Sequence, residues 1–274
     1  MIHRKKNVLG FTLYGIVITG VFLYLLFPSE IIQSRLEDAL QSSHLTLKSE
    51  SLKPSLPLGF KFRNISVGSA SWGASPFQAD WLDLQFNPLS FFQKNKSIGL
   101  SGKAYGGKFK GKLGFASFSK PDPLHEANVS LQNININRFA LLKTLMGKDV
   151  SGLAQGTLNV ADAAKGVSSA TGSVNLVFTK GFYSLAEPFL GMSRIDFDTV
   201  EIKARLRDGG FKLEKFTVSG PQIRCTFKGD IALAALFKDS RLNLTGELEI
   251  LGQNKARMNV TIVGTLANPE MRYI

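Results

Sequence analysis

The chain has 274 residues and a formal net charge of +12, with 44% hydrophobic and 20% charged residues. This composition is that of an ordered protein and excludes an intrinsically disordered chain. The single cysteine, Cys225, excludes an intramolecular disulfide, and three histidines far apart in the sequence predict no metal site. The cations are spread among apolar residues, which favours a solvated sheet face over a nucleic-acid interface.

The first predicted element is a membrane anchor. Residues 8–27 read VLGFTLYGIVITGVFLYLLF, without a charged side chain. At about 1.5 Å per residue they span about 30 Å, the thickness of a bilayer core. Basic residues before the span predict a cytoplasmic N-terminus in the bacterial inner membrane, with everything after the span in the periplasm. The residues assigned to the anchor are Val8, Phe11, Ile16, Val21 and Phe27. The residues that determine its predicted orientation are Arg4, Lys5 and Lys6.

A cleaved signal peptide is the alternative interpretation of this segment. The apolar part of a signal peptide is usually about 7–15 residues long and ends at a cleavage site made of small residues. The stretch LLFPSEII, at the end of the apolar run, contains no such site. A retained anchor, with its basic tip forming a first unit over residues 1–27, is therefore favoured.

The second element is an amphipathic helix over residues 28–43. Ser29 is placed to cap it, and Ile32, Leu36, Ala39 and Leu40 recur at helical spacing on one side. A helix that closes the end of the next domain is favoured over a helix that binds a partner or the membrane surface.

Residues 44–274 form the third unit, in which apolar side chains recur with period two. This alternation predicts antiparallel strands with one apolar and one solvated face. The predicted fold is therefore mainly β, an elongated antiparallel meander sheet that forms a curled groove, a half-barrel or a sandwich. The residues assigned to the apolar face are Ile223, Phe227, Leu242, Leu244, Leu248, Ile250, Val260, Ile262 and Leu266.

Local signals predict the turns and interruptions of this sheet. Hairpins are predicted at residues 208–210 and 106–107, and a β-bulge between Leu213 and Phe216. Because proline cannot donate a ladder hydrogen bond, Pro269 is predicted to end the last strand. A few short helices are predicted, at residues 138–147, 186–192 and 233–238.

The short motifs that resemble catalytic or phosphate-binding motifs each lack a required residue or structural context. Residues 106–113, GGKFKGKL, approach a phosphate-binding loop, but Leu113 replaces the required hydroxyl and no helix follows. Asp196 and Asp198 near Arg194 are interpreted as solvated strand charges, since no third catalytic group accompanies them. The sequence therefore predicts no enzyme, no catalytic residue, no cofactor and no metal.

Four segments carry a family resemblance: LFPSE, PSLPLGFKFRNISVG, AYGGKFKGKLGF and VTIVGTLANPEMR. In this order they resemble type II secretion system protein N (GspN), and more widely the AsmA-like superfamily of envelope proteins. The resemblance implies an inner-membrane anchor, a periplasmic β domain and an accessory role in the apparatus that moves folded proteins across the outer membrane. It implies no catalytic residues.

Two functions remain open at this point. The first is an assembly component of a secretion machine, which contacts other secretion-system or envelope proteins through strand edges and basic strand faces. The second is an envelope module that binds or transfers phospholipid along an apolar β groove. An envelope hydrolase is disfavoured, and nucleic acid is not an expected partner of an exported domain.

Overall fold

The computed structural model describes residues 14–15, 18–20, 22, 24, 26–41, 45–69, 77–89, 96–115, 124–139, 148–163, 168–189, 192–234, 236, 239–251 and 255–273. Its fold is mainly β, as the alternating pattern predicts. All fifteen strands belong to one antiparallel meander sheet, and helices are few in the described part of the chain.

The predicted anchor falls largely outside the described residues. The predicted residues that lie outside the described part are Val8, Phe11, Ile16 and Val21 of the anchor, and Arg4, Lys5 and Lys6 of the basic tip. Within the part that the structure describes, no helix has the length and apolar character needed to cross a bilayer. Phe27 is described and half-buried, and its ring centroid lies 5.8 Å from that of Phe60.

Helix α1, Ser29–Gln41, agrees with the amphipathic helix predicted at this place. Ile32, Leu36 and Leu40 pack against a buried cluster whose largest member is Phe62. The side-chain amide of Gln33 also donates to the Ser49 carbonyl at 3.1 Å. The helix therefore packs onto the first strands of the sheet.

The strands follow one another along the chain. In chain order they are β1 (Leu45–Lys48), β2 (Ser51–Ser55), β3 (Gly59–Ser69), β4 (Phe77–Phe86), β5 (Lys96–Ala104), β6 (Gly107–Phe115), β7 (Glu126–Asn135), β8 (Val150–Ala161), β9 (Thr171–Phe189), β10 (Met192–Arg207), β11 (Gly210–Ser219), β12 (Ile223–Ala232), β13 (Arg241–Ile250), β14 (Ala256–Thr265) and β15 (Pro269–Tyr273). A short 3-10 helix, Ile136–Arg138, follows β7.

From β3 to β15 each strand pairs antiparallel with its neighbours in the chain, while β1 and β2 both pair with β3. No pairing joins the first strands to β15 in the described ranges. The sheet formed by these described strands is therefore open.

The predicted turns agree with the structure to within one residue. Asp208 and Gly209 connect β10 to β11 with φ values of 52° and 73°, in the left-handed region that a tight hairpin requires. The β5–β6 turn uses Tyr105 and Gly106, one residue earlier than predicted. The predicted bulge is confirmed, since the register shifts between Leu213 and Phe216.

The prediction that Pro269 ends the ladder is wrong. Pro269 is the first residue of β15, which pairs with β14 opposite Gly264. The physical reason is that proline is tolerated at the first position of an edge strand, where its missing N–H is not needed by the neighbouring strand. The C-terminal strand of the sheet is therefore β15, one strand later than predicted.

Of the predicted short helices, the one at residues 186–192 is also wrong. β9 continues to Phe189 and β10 begins at Met192, and these two residues face each other across the ladder. Pairing between two long strands overrides the local helix propensity of this segment. The helix predicted at 138–147 lies almost wholly outside the described residues, and residues 233, 234 and 236 are not helical.

Candidate functional site

The register of the sheet aligns apolar residues into rows that run across the strands. One row crosses thirteen strands, from β3 to β15, and every member is apolar or glycine. We call it the Phe60 row, and it contains Phe60, Leu84, Leu100, Gly111, Val129, Leu158, Val174, Ala204, Leu213, Gly229, Leu244, Ile262 and Met271. At about 4.8 Å between strands, the row extends about 58 Å.

Two further rows flank it, each two residues away along the strands. The Phe62 row contains Phe62, Leu82, Gly102, Phe109, Leu131, Gly156, Leu176, Ile202, Phe216, Phe227, Gly246, Val260 and Tyr273. The Phe86 row begins one strand later and contains Phe86, Ile98, Leu113, Ala127, Val160, Gly172, Leu206, Phe211, Ile231, Leu242, Gly264 and Pro269. Together the three rows form a continuous apolar face.

Glycines in the rows make room for aromatic rings. Gly102 lies opposite Phe109, and a Cβ atom on Gly102 would lie 2.7 Å from the Cε1 atom of that ring. Gly246 lies opposite Phe227, and its added Cβ would lie 2.7 Å from the ring Cδ1 atom. In both pairs a phenylalanine ring covers a glycine across the ladder, which fixes the register at that position.

The three rows contain fully buried side chains in one part of the sheet and only half-buried ones in another. Over β10 to β14 the Phe60 row is buried at Ala204, Leu213 and Leu244, and we call this part the buried stretch. Over β4 to β9 its side chains are all half-buried and none is fully buried, and we call this part the open stretch. Its members in the Phe60 row are Leu84, Leu100, Val129, Leu158 and Val174.

Side chains of the long β9–β10 hairpin and a loop segment pack against the buried clusters of the C-terminal strands. Met192, Ile195 and Phe197 of β10 pack against the cluster that contains Val260, which is fully buried. Leu266, after β14, packs against the cluster around Leu242 and Leu244. The nine residues assigned to the apolar face lie in the buried stretch or beside it. Ile223, Phe227, Leu242, Leu244, Leu248 and Val260 are buried, and Ile250, Ile262 and Leu266 are half-buried.

The polar face carries a different charge pattern over the two stretches. Over β10 to β14, cations and carboxylates face each other across neighbouring strands. These pairs are Glu201–Lys215, Arg205–Glu214 at 2.7 Å, Arg224–Glu249 at 3.6 Å and Glu247–Arg257. The hydrogen bond and the charge of Lys215 lower the pKa of Glu201, and those of Glu247 raise the pKa of Arg257.

The β5–β6 hairpin has no such balance. Its two strands carry five lysines and no carboxylate. Lys103 lies 3.6 Å from Asp80 of β4, whereas no described acid forms an ion pair with Lys108, Lys110 or Lys112. The polar face of this hairpin is therefore basic, and it lies on the opposite side of the sheet from the open stretch.

The titratable groups of the sheet do not gather into a metal site. In the described ranges, no group of three or more His, Cys, Asp or Glu side chains is placed to hold a metal ion. Asp196 forms an ion pair with Arg194 at 3.2 Å, and Asp198 is exposed. Cys225 is buried within the apolar face, and this burial raises its pKa to about 11.

Comparison of the chain with models of protein families, with curated proteins and with solved structures finds no match. The candidate site is therefore defined by geometry alone: an apolar face about 58 Å across whose rows are not fully buried in the open stretch and end at an exposed strand. Alternation in the sequence predicted the apolar face of the C-terminal strands. It missed the rows, because they depend on register between strands.

Proposed function

We propose that this protein is an accessory component of a type II secretion system, anchored in the inner membrane, with its sheet in the periplasm. In this proposal it acts by contacts along the sheet. The observation that carries the proposal is the open sheet: in the described ranges its end strands do not pair with each other, and no side chain of its Phe60 row is fully buried over β4 to β9. Extended surfaces of this kind serve association with partners.

The family resemblance supports the same assignment. Three of the four segments that carry it overlap hairpins formed by adjacent strands of the sheet. PSLPLGFKFRNISVG covers the β2–β3 hairpin, AYGGKFKGKLGF covers the β5–β6 turn and β6, and VTIVGTLANPEMR covers the β14–β15 hairpin. The inner-membrane location depends on the uncharged run of residues 8–27 and the basic residues before it.

Deletion of the gene tests this function. We expect secreted proteins to accumulate in the periplasm of the deletion strain, and crosslinking in cells to recover secretin or pseudopilin proteins with the full-length chain. Reintroduction of the wild-type chain restores secretion. Normal secretion combined with a leaky outer membrane would overturn the proposal and favour a general envelope role.

A second function, phospholipid binding, is favoured by the incompletely buried apolar side chains of the open stretch. Leucine, valine and isoleucine side chains line three parallel rows there, which suits an acyl chain better than a polar ligand. Basic residues of the β5–β6 hairpin lie on the opposite face, so the apolar rows and not the lysines define this candidate site.

Lipid content of the purified full-length protein tests the second function. We expect Leu158→Asp, in the open stretch, to lower the phospholipid that copurifies, as measured by mass spectrometry. Thr157→Asp is the matched control, because Thr157 is the adjacent exposed residue of β8 on the polar face. Lipid held by the anchor is the same in both variants, so equal lipid content in the two would contradict a site on the apolar face.

A further inference from the structure

The last strand, β15, presents an exposed edge with apolar side chains. All five residues of β15 are exposed, including Met271 at 44% and Tyr273 at 62%. Met271 ends the Phe60 row and Tyr273 ends the Phe62 row, so these side chains belong to the apolar face. On the side away from β14, no strand of the described ranges pairs with β15.

The hydrogen-bond phase of β15 decides which backbone groups lie on this outer edge. Thr265 N–H donates to the Asn268 carbonyl at 3.2 Å, so these two residues form a hydrogen-bonded pair. Hydrogen-bonded and non-hydrogen-bonded pairs alternate along antiparallel strands. Counting from that pair, Glu270 and Arg272 bond to β14, whereas the N–H and C=O of Met271 point away from it.

The proline at the start of β15 agrees with this count. Pro269 lies opposite Gly264 at a position that needs no N–H bond to β14. By the same alternation, the carbonyl of Pro269 and the N–H and C=O of Tyr273 also lie on the outer edge. The outer edge therefore offers backbone N–H donors at Met271 and Tyr273, and carbonyl acceptors at Pro269, Met271 and Tyr273.

The sequence of this edge, Pro-Glu-Met-Arg-Tyr, is complementary to itself in an antiparallel arrangement. If two copies meet with their Met271 residues opposite each other, Glu270 of each faces Arg272 of the other, and Tyr273 faces Pro269. Opposite charges across a strand pair stabilise it, and like charges destabilise it. The outward Met271 groups bond to each other, and each Tyr273 N–H reaches a Pro269 carbonyl.

We propose that two copies of this chain associate through β15, by antiparallel pairing about a two-fold axis at Met271. The pairing continues the sheet from one copy into the other and keeps both apolar faces on the same side. It also covers the exposed Met271 and Tyr273 side chains at the end of their rows. A second copy is favoured over an unrelated strand because the charge pattern of the edge matches its own reversed sequence.

Disulfide crosslinking of the full-length protein in detergent tests the geometry. Paired residues at the axis place their Cα atoms about 5.5 Å apart, within the range that a disulfide bridges. Met271→Cys is therefore expected to form a crosslinked dimer under mild oxidation. Asp208→Cys, in the exposed β10–β11 turn, is the matched control and is expected to stay monomeric. Native Cys225 contributes no crosslink, since it is buried and burial raises its pKa to about 11.

Charge reversal in the Met271→Cys background tests the self-complementarity. Glu270→Arg or Arg272→Glu alone places like charges opposite each other twice per dimer and lowers crosslinking about tenfold. The double variant Glu270→Arg/Arg272→Glu restores the opposite charges and the crosslinking. Circular dichroism confirms that each variant keeps its sheet.

Three results would overturn the proposal. One is a Met271→Cys protein that crosslinks no faster than the Asp208→Cys control. The second is a double reversal that fails to recover what each single reversal lost. The third is crosslinking of Met271→Cys in cells to a different protein only, which would show that β15 pairs with a strand of another chain.

Discussion

The open stretch and the buried stretch belong to the same three rows of one sheet, yet only the second contains fully buried side chains. Both alternate apolar and polar residues with the same period. Additional side chains pack on the C-terminal part of the face: Met192 and Ile195 contact the cluster that contains Phe227 and Val260, and Leu266 contacts the cluster of Leu242 and Leu244. Alternation therefore predicts which face is apolar, and packing partners decide whether that face is a core or a binding surface.

Helix α1 covers part of the apolar face at the other end of the sheet. Its side chains pack on the cluster around Phe62, so burial is restored beside β1 to β3. Between this helix and the β9–β10 hairpin, the side chains of the rows are half-buried. The open stretch is thus bounded by two covered regions, and variants matched between the stretches distinguish core from surface.

The largest contrast is expected from a charge placed in the Phe60 row. Leu244→Asp, in the buried stretch, buries an unpaired carboxylate and should lower the free energy of unfolding by about 4 kcal/mol or more. Leu100→Asp, in the open stretch, keeps contact with water and should cost about 1 kcal/mol. Urea denaturation of the full-length protein, followed by circular dichroism, measures both. Equal losses would mean that the open stretch is also a closed core.

A smaller contrast is expected from the two phenylalanines that cover glycines. Phe227→Ala uncovers Gly246 within the buried stretch and should cost about 3 kcal/mol. Phe109→Ala uncovers Gly102 at a half-buried site and should cost about half as much. The same denaturation curves report both values. A larger loss at Phe109 would show that the open stretch, and not the β9–β10 region, holds the more rigid packing.

Thiol reactivity gives a third comparison, independent of stability. At pH 8 Cys225 should react with iodoacetamide at least about tenfold more slowly than a cysteine introduced by Leu158→Cys in the open stretch. Mass spectrometry of the alkylated protein measures both rates. Burial raises the pKa of Cys225 from 9.0 to about 11, so this group favours the folded state at neutral pH, and that contribution is lost as the pH rises from 9 toward 11. Fast labelling of Cys225 would show that the buried stretch opens readily.

The smallest effect is expected on the polar face of the buried stretch. Glu247→Lys replaces the exposed partner of Arg257, and the unfolding midpoint should move by no more than its experimental error. The variant differs from Leu244→Asp by only three positions in β13 but lies on the opposite face. A loss comparable to that of Leu244→Asp would reverse the assignment of the two faces.

Much of the fold could be predicted from local pattern alone. Alternation in β12 to β14, the turn residues Asp208 and Gly209, and the bulge after Leu213 depend only on neighbours in sequence. Helix α1 followed from the spacing of its apolar residues in the same way.

The rest depended on contacts between distant residues. The segment near Phe189 reads as a short helix until its pairing with β10 is known. Pro269 suggests the end of a strand until its pairing with Gly264 is known, because at this position the backbone nitrogen is not needed as a donor to β14. The rows themselves need the register of every strand pair, which no single strand encodes. The signal that β15 exists was present in the alternation of Met271 and Tyr273 with Glu270 and Arg272.

Neighbour-to-neighbour pairing of these strands has a consequence for how such a protein changes in length. A hairpin adds two strands, so gain or loss of one hairpin moves the following strand by about 10 Å and leaves every side chain on its original face. A duplication of some twenty residues within the open stretch would therefore extend all three rows at once. The reach of the apolar surface could vary in evolution by whole hairpins, while α1 and the β9–β10 region stay unchanged.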